Sequence, residues 1–313
     1  MPHPLDIETL AVRRPAGGCV VTLGNFDGVH RGHQELLAIA KARAVKLGVD
    51  LVVLSFEPHT RHFLDAHGGP LLLSTWKERE VLLRDHGADH ALTLRFDEEV
   101  RRLSAIGFVD VLIASLGVRE FVLGWDHRFG RGAEGTAEAL MPHLQAKGIG
   151  LSIVPPLELD GVVNSTRIRE LLVADGGFDE AVALLGHPWT YLGEVVQGDQ
   201  RGRTIGFPTA NLDPVSPRKL LPADGVYVGW LEMPEHGRRP AVVNVGRAPT
   251  FLRDLRLVEA HVLGGPGPCY GDFCRLELTR FLRGSRAFES VQALCVQLKR
   301  DEHDARAILG CPL

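Results

Sequence analysis

The feature that most constrains this chain is a change of rhythm at Gly186-His187-Pro188-Trp189. Before it, short apolar runs alternate with helical patterns. After Thr190, helical periodicity vanishes until about Ser285, and short runs follow one another between glycine and proline turns. Parallel strands need crossover helices, whereas antiparallel strands need only turns. The rhythm therefore divides the chain into two domains, 1–186 and 187–313, joined within 184–190. A length of 313 residues with 45% apolar content supplies material for two cores.

In the first half, Cys19–Leu23 runs into a glycine turn at Gly24. A helical pattern follows, with Leu36, Leu37, Ala40, Ala44 and Leu47 on one face. Leu51–Phe56 is continuously apolar, as suits a parallel strand covered on both faces, and Pro58 ends it. Helical patterns near Thr75–Asp85 and Phe108–Leu116 alternate with apolar runs at Phe121–Leu123 and Ile149–Val154. The expected fold is a doubly wound, Rossmann-like α/β sheet with ligands at the carboxyl ends of its strands. Three polar clusters fall there: Asn25–His33, Glu57–His59 and Trp125–Gly130. A short helix, Phe178–Leu185, closes this half. The second half predicts an antiparallel barrel or sandwich from Tyr191–Val196, Gly225–Leu231, Ala241–Val245, Leu257–Leu263 and Phe273–Phe281. An amphipathic helix over about Ser285–Leu309 is expected to pack on it.

Four stretches carry chemistry. His30 and His33 flank Gly32 where the first strand hands over to the first helix. A helix amino terminus has free N–H groups and a positive dipole end, which favour a phosphate. Gly32 lets a phosphate approach the backbone, and imidazoles donate to its oxygens without the flexibility of lysine. This is the physics of a nucleotide α-phosphate site. Ser165 and Thr166 can cap a helix and form an anion nest, with Arg169 adding a planar fork. Alone, that stretch reads equally as a capped helix with a surface arginine.

In Gln197–Leu212, Gly198, Gly202 and Gly206 give a backbone able to wrap a polyphosphate, without the Lys-Ser/Thr ending of a Walker loop. Thr209 and Asn211 offer neutral oxygen ligands on one face of an extended segment, which suits Mg²⁺. Asx-type turn bonds are the other reading of those two residues. In Val258–Val262, Glu259 and His261 face opposite to Val258, Ala260 and Val262.

The run Gly24-Asn25-Phe26-Asp27-Gly28-Val29-His30-Arg31-Gly32-His33 resembles the adenylylation site of the bacterial bifunctional riboflavin kinase/FAD synthetases, members of the HxGH nucleotidyltransferases. Asn164–Arg169 resembles the S-S-T-x-x-R signature of that family, with Asn164 for the first serine. Val122–Gly130 is similar to its G-x-D/N-F-x-F-G loop, with His127 for a phenylalanine, and Thr60 replaces the second proline of P-H-P. Gln197–Leu212 resembles the riboflavin kinase signature. Val258–Val262 resembles its E-x-H strand, and Asn244-Val245-Gly246-Arg247-Ala248-Pro249-Thr250-Phe251 matches as well. Pro268-Cys269 stands where D-L is usual, and Ser285 where an acid is usual.

The resemblance runs from about Val20 to Leu309. It implies an HxGH nucleotidyltransferase domain followed by an antiparallel β-barrel riboflavin kinase domain with a C-terminal helix. In the first, the FMN phosphate attacks the α-phosphorus of ATP in line and expels pyrophosphate. His30 and His33 stabilise the charge, Gly24, Asn25, Gly32, Ser165, Thr166 and Arg169 bind the nucleotide, and His59 and Asp126 touch flavin. In the second, ATP phosphorylates riboflavin to FMN. Glu259 is the general base at the ribityl 5′-hydroxyl, Thr209 and Asn211 hold Mg²⁺, Gly202 and Gly206 lie on ATP, and Arg283 contacts flavin. ATP, riboflavin, FMN and FAD are thus the implied substrates and products. Two alternatives stay open: a chain with only one of the activities, and a flavin-binding protein that is not an enzyme.

A net charge of −4 argues against wholesale nucleic-acid binding. The five scattered cysteines, Cys19, Cys269, Cys274, Cys295 and Cys311, read as reduced thiols of a cytoplasmic protein. His62, His67, His86 and His90 have no ligand spacing and read as surface residues. The amino terminus lacks the apolar stretch of a signal peptide, and no run is long enough to span a membrane. The expected partners are small molecules, with the chain a monomer or weak homo-oligomer.

Overall fold

The computed structural model describes residues 4–65, 68–198, 201–247 and 256–311. His67, Asp199, Gln200 and Ala248-Pro249-Thr250-Phe251 lie outside the described residues, as do the side chains of Arg201 and Arg203. The chain divides into two compact units, Met1–Leu72 with Trp76–Asn164, and Leu73–Thr75 with Ser165–Leu313.

The first unit runs β1 (Cys19–Leu23), α1 (Arg31–Leu47), β2 (Asp50–Glu57), α2 (Thr60–Leu64), α3 (Trp76–Asp85), β3 (His90–Arg95), α4 (Glu98–Arg102), α5 (Ala105–Leu116), β4 (Val118–Gly124), α6 (Ala137–Ala146) and β5 (Gly150–Val154). Its sheet has the order β3-β2-β1-β4-β5, and every pairing is parallel. All of β1 is buried, because each face of the sheet carries helices. Val20 packs with Leu37, Ala40 and Val53 on one face, while Val21 and Leu23 pack with Phe108 and Leu112 on the other. Burying each such side chain contributes about 1.5–3 kcal/mol.

Strand β3 and helix α6 were not anticipated. In β3, only Ala91, Leu92 and Leu94 of its six residues are apolar, too short a run to stand out in the sequence. In α6, the interior Pro142 argues against a helix, yet Thr136 caps it by accepting from Ala139 N at 3.2 Å.

The second unit runs α7 (Ser165–Val173), α8 (Phe178–Leu185), β6 (Trp189–Val196), the single turn α9 (Arg201–Thr204), β7 (Ala210–Pro214), β8 (Gly225–Met233), β9 (Gly237–Arg247), β10 (Arg256–Val262), β11 (Phe273–Gly284) and α10 (Val291–Leu309). The strands close into a barrel in the order β10-β7-β6-β11-β8-β9, entirely antiparallel, with β9 returning to β10. β11 pairs with both β6 and β8 through Leu278, and its register shifts fall beyond that, where it pairs with β8 alone.

Helix α10 starts later than the pattern suggested. Ser290 is its cap, accepting from Ala293 N at 3.1 Å. Its Ala305 and Leu309 pack against Val226, Val228, Val242, Leu263 and Leu282 of the barrel unit.

Helices α7 and α8 group with the barrel by packing. Ala223 N donates to Leu172 O at 2.8 Å, and the Phe178 ring meets Tyr227 edge-on at 4.7 Å. Lys219 is buried against the same unit. Its ammonium donates to Leu73 O at 2.7 Å and Thr190 O at 2.6 Å, above the Trp189 ring.

Two candidate active sites

The first candidate site stands at the carboxyl edge of the parallel sheet. β1 and β4 are neighbours there, yet their successors lie on opposite sides, so their loops flank the topological switch point. The loop after β1 takes left-handed backbone at Phe26 (φ 47°), Gly28 (φ 83°) and Val29 (φ 41°). Glycine accepts this freely, but a β-branched valine is strained. Burial holds it, since Phe26 and Val29 both sit in the core facing α1, and Gln34 Nε2 donates to Val29 O at 2.8 Å.

His30 caps α1 and is buried. Its ring stacks on His33, one turn further, with centroids 3.7 Å apart, and Phe26 packs edge-on against His33 at 5.2 Å. Gly32 lies between them, where a Cβ would touch the His30 ring at 3.4 Å. Burial, and then the charges of His30 and Arg79, push the His33 pKa well below the ordinary histidine range. His33 is therefore neutral near pH 7, and its buried Nδ1 has no hydrogen-bond partner among the described residues. A neutral imidazole with an unsatisfied nitrogen, at a helix amino terminus, is suited to a phosphate oxygen.

Neighbouring loops support this one. Gly24 N donates to Leu54 O at 3.1 Å. Asn25 Nδ2 donates to Thr60 Oγ1 at 3.0 Å, and Asn25 Oδ1 accepts from Thr60 N at 3.3 Å, tying the β1 loop to the β2 loop. A proline at position 60 would lack that N–H, so Thr60 turns a departure from the family pattern into a tether. His59 is buried, and its Nδ1 accepts from Arg61 N at 3.2 Å, capping α2. Asp126 is exposed beyond β4, next to the exposed Trp125. His127 packs against Phe129 at 5.6 Å, and burial lowers its pKa to about 4. This neutral ring keeps the aromatic packing that a phenylalanine would provide. Ser165, Thr166 and Arg169 open α7, in the unit that contains the barrel, and Arg167 pairs with Glu180 at 3.0 Å.

The second candidate site is a row across three strands. Asn211 of β7 lies directly opposite Glu259 of β10, which lies directly opposite Asn244 of β9. Directly opposed residues share a face, so the three side chains stand side by side. Asn244 Nδ2 donates to Glu259 Oε2 at 3.3 Å. Asn211 is buried, and a Cβ at Gly198 would overlap its amide. Ile205 N and Phe207 N both donate to Gly202 O, at 3.2 and 2.9 Å, closing the turn that delivers Thr209. Gly206 completes it at φ 86°.

His261, on the Glu259 face, donates from Nδ1 to Pro208 O at 2.7 Å, and its Nε2 lies 2.8 Å from Glu302 Oε1 on α10. It thus ties the Pro208-Thr209 segment to the C-terminal helix. Arg283 stands on β11, which is not adjacent to β10 in the barrel order. Its fork is taken by the buried Asp301, with Nε and Nη2 at 2.9 and 2.7 Å. At the altered D-L-Y-G turn, Asp272 Oδ2 accepts from Cys269 N at 2.8 Å, so an acid still holds this turn from a different position.

Sequence reasoning gave no role to Asn244, His261 or the buried Arg79. Asn244 and His261 lay inside quoted motifs, but only the strand register shows what they touch.

A Rossmann-like parallel sheet with stacked histidines at its carboxyl edge thus precedes an antiparallel barrel whose ladder sets Glu259 between Asn211 and Asn244. Two separate candidate sites in one chain are the architecture of a two-site enzyme. Residues 13–167 match the FAD synthetase family and residues 185–309 the riboflavin kinase family. The bifunctional riboflavin kinase/FMN adenylyltransferase of Escherichia coli K12 is 36% identical over 95% of this chain and 94% of its own length. The protein of that name from Bacillus subtilis is 33% identical over 91% of each chain. The chain belongs to the bifunctional riboflavin kinase/FMN adenylyltransferase family. A crystal structure described as a macrolide-efflux protein from Streptococcus pneumoniae superposes with a TM-score of 0.80 at 35% identity, covering 92% of this chain and 94% of that one. Among the described residues here, no helix is long and apolar enough to cross a membrane.

Proposed function

We propose that this chain converts riboflavin to FMN and FMN to FAD, each step consuming ATP. What carries this reading is the presence of both family matches in one chain, in order. Functionally, we assign adenylyl transfer to 1–186, which includes the Ser165–Arg169 stretch, and phosphorylation to 187–313.

In the kinase half, Glu259 takes the proton of the ribityl 5′-hydroxyl as that oxygen attacks the γ-phosphorus of ATP, and the bond to the β,γ-bridging oxygen breaks to release ADP. Asn244 orients the carboxylate by holding one oxygen, which leaves the other for the substrate. The neutral oxygens of Thr209 and Asn211, the latter's amide packed against Gly198, fit a hard cation. Mg²⁺, when bound there, neutralises triphosphate charge. Gly202 and Gly206 shape the backbone against the ATP phosphates. The fork of Arg283 is occupied by Asp301, so its part in flavin binding is to fix the end of β11.

In the adenylyl half, an FMN phosphate oxygen bonds to the α-phosphorus of ATP while the bond to the pyrophosphate oxygen breaks. His30 and His33 donate to the oxygens on which charge accumulates. Gly32 allows close approach, Gly24 and Asn25 shape the loop, and Ser165, Thr166 and Arg169 bind phosphate. His59 and Asp126 face the flavin. On this reading the protein works in the cytoplasm on small molecules, as a monomer or weak homo-oligomer without a nucleic-acid partner.

The test is chromatography of products after incubation with riboflavin, ATP and Mg²⁺, beside a reaction started from FMN. FMN and FAD are expected in the first, and FAD in the second. FAD from FMN alone would remove the kinase claim and point to Pro268 and Ser285. FMN without FAD would remove the adenylyl claim. No product in either reaction would leave a flavin-binding protein.

A further inference from the structure

Arg79 on α3 is fully buried, yet little of its hydrogen-bonding capacity is used. Nη2 donates to Phe56 O at 2.8 Å and lies 3.5 Å from Glu57 Oε2. Nε and Nη1 have no hydrogen-bond partner among the described residues. A guanidinium is among the least favourable groups to take from water, and unmade N–H bonds add to that. Leu82 and Leu83 of the same helix show what packing alone selects here. Phe56 and Glu57, which it contacts, end β2 at the carboxyl edge of the sheet. Its charge also acts on Asp27 and His33, which belong to the β1 loop and the first turn of α1. The unspent cation is thus anchored at the edge that carries the stacked histidines.

We propose that Arg79 is a positioning residue for adenylyl transfer: a fixed, buried positive charge that draws the ATP phosphates onto the His30–His33 pair. The proposal rests on the adenylyl-transfer reading of that pair. The guanidinium keeps its proton throughout the working pH range, so the field is permanent. Asp27, Glu57 and Glu80 oppose it, and a proton taken up by His30 or His33 would add charge of its own sign. His62 acts on Glu57 from α2. Two effects follow. Polyphosphate is attracted to the edge, and proton uptake by the histidines is resisted.

The full chain supplies its own control, because the kinase reaction uses other residues. Arg79→Met and Arg79→Gln are compared with Arg79→Lys and the parent, with FAD formation from FMN and FMN formation from riboflavin read on each preparation. We expect Arg79→Met and Arg79→Gln to lose about tenfold or more in kcat/KM for FAD formation, mostly through the KM for ATP. Kinase activity is expected to stay within about twofold of the parent, as for sites with no shared partners. The acid limb of the FAD-forming pH profile should move to higher pH in both variants, and Arg79→Lys should recover much of the loss. Should the methionine variant not fold, the glutamine variant, which can still donate to Phe56 O, decides alone. An unchanged KM for ATP with an unchanged pH profile in the charge-removing variants overturns the proposal. So does an equal loss of both activities that lysine does not recover. If the parent makes no FAD from FMN, it is the adenylyl-transfer reading that has failed.

Discussion

The site proposed for adenylyl transfer hangs on a loop, whereas the base proposed for the kinase is built into a β-ladder. In the loop, positions are held by burial, by left-handed backbone at Phe26 and Val29, and by stacking of His30 on His33. In the ladder, Asn211, Glu259 and Asn244 are spaced by the sheet itself, about 4.5–5.5 Å between opposed Cβ atoms, and no strain is needed. A loop site depends on many indirect supports, so distant changes reach it. The ladder site answers chiefly to the side chains that stand in the row.

The strongest way to break this contrast is Glu259→Gln. Phosphorylation of riboflavin should fall by about a thousandfold, while FAD formation from FMN in the same preparation changes little. A parallel fall in both would mean the sites are not independent. Next in size is His33→Ala, which should lower FAD formation from FMN by about a hundredfold and leave the kinase intact.

Acid sharpens the comparison through stability. The pKa values of His33 and His127 lie below the ordinary value, His127 at about 4. The unfolded chain therefore binds protons that the folded chain refuses. Stability is full above about pH 6.5 and is lost as pH falls towards 4, by at most about 1.4 kcal/mol per pH unit for each histidine. Urea unfolding at pH 7 and pH 5 should show the decline, and His127→Phe should reduce it. The smallest effect belongs to Asn244→Ala. Loss of one hydrogen bond to a carboxylate should lower the kinase kcat by about tenfold, with little change in the KM for ATP. A change confined to KM would assign Asn244 to substrate binding instead.

Much of this arrangement is legible in sequence, for local reasons. Continuous apolar runs mark β1 and β2, and Gly186 at φ 76° ends α8 at the residue the glycine indicates. What escapes is whatever depends on pairing between distant segments. The F-P-T-A-N stretch reads as an extended segment, but nothing local reveals that Ala210–Pro214 pairs with β6 and β10. Arg79 sits in Trp76-Lys77-Glu78-Arg79-Glu80, a charged run that reads as a solvated helix face. Only tertiary packing shows that Glu78 and Arg79 are both buried. At Asn244 the motif names the residue, but the register supplies its partner.

Leu73–Thr75 packs with the barrel unit although first-unit sequence lies on both sides of it. The covalent chain therefore passes between the units at three places, 72/73, 75/76 and 164/165, like a seam stitched through both cloths. No single cut separates the two units intact. A fragment beginning at Ser165 keeps every barrel strand but leaves the buried Lys219 ammonium without the Leu73 carbonyl. A fragment ending at Asn164 carries Leu73–Thr75 with nothing of its own unit to rest on. Modular by family, the protein is indivisible as a piece of string.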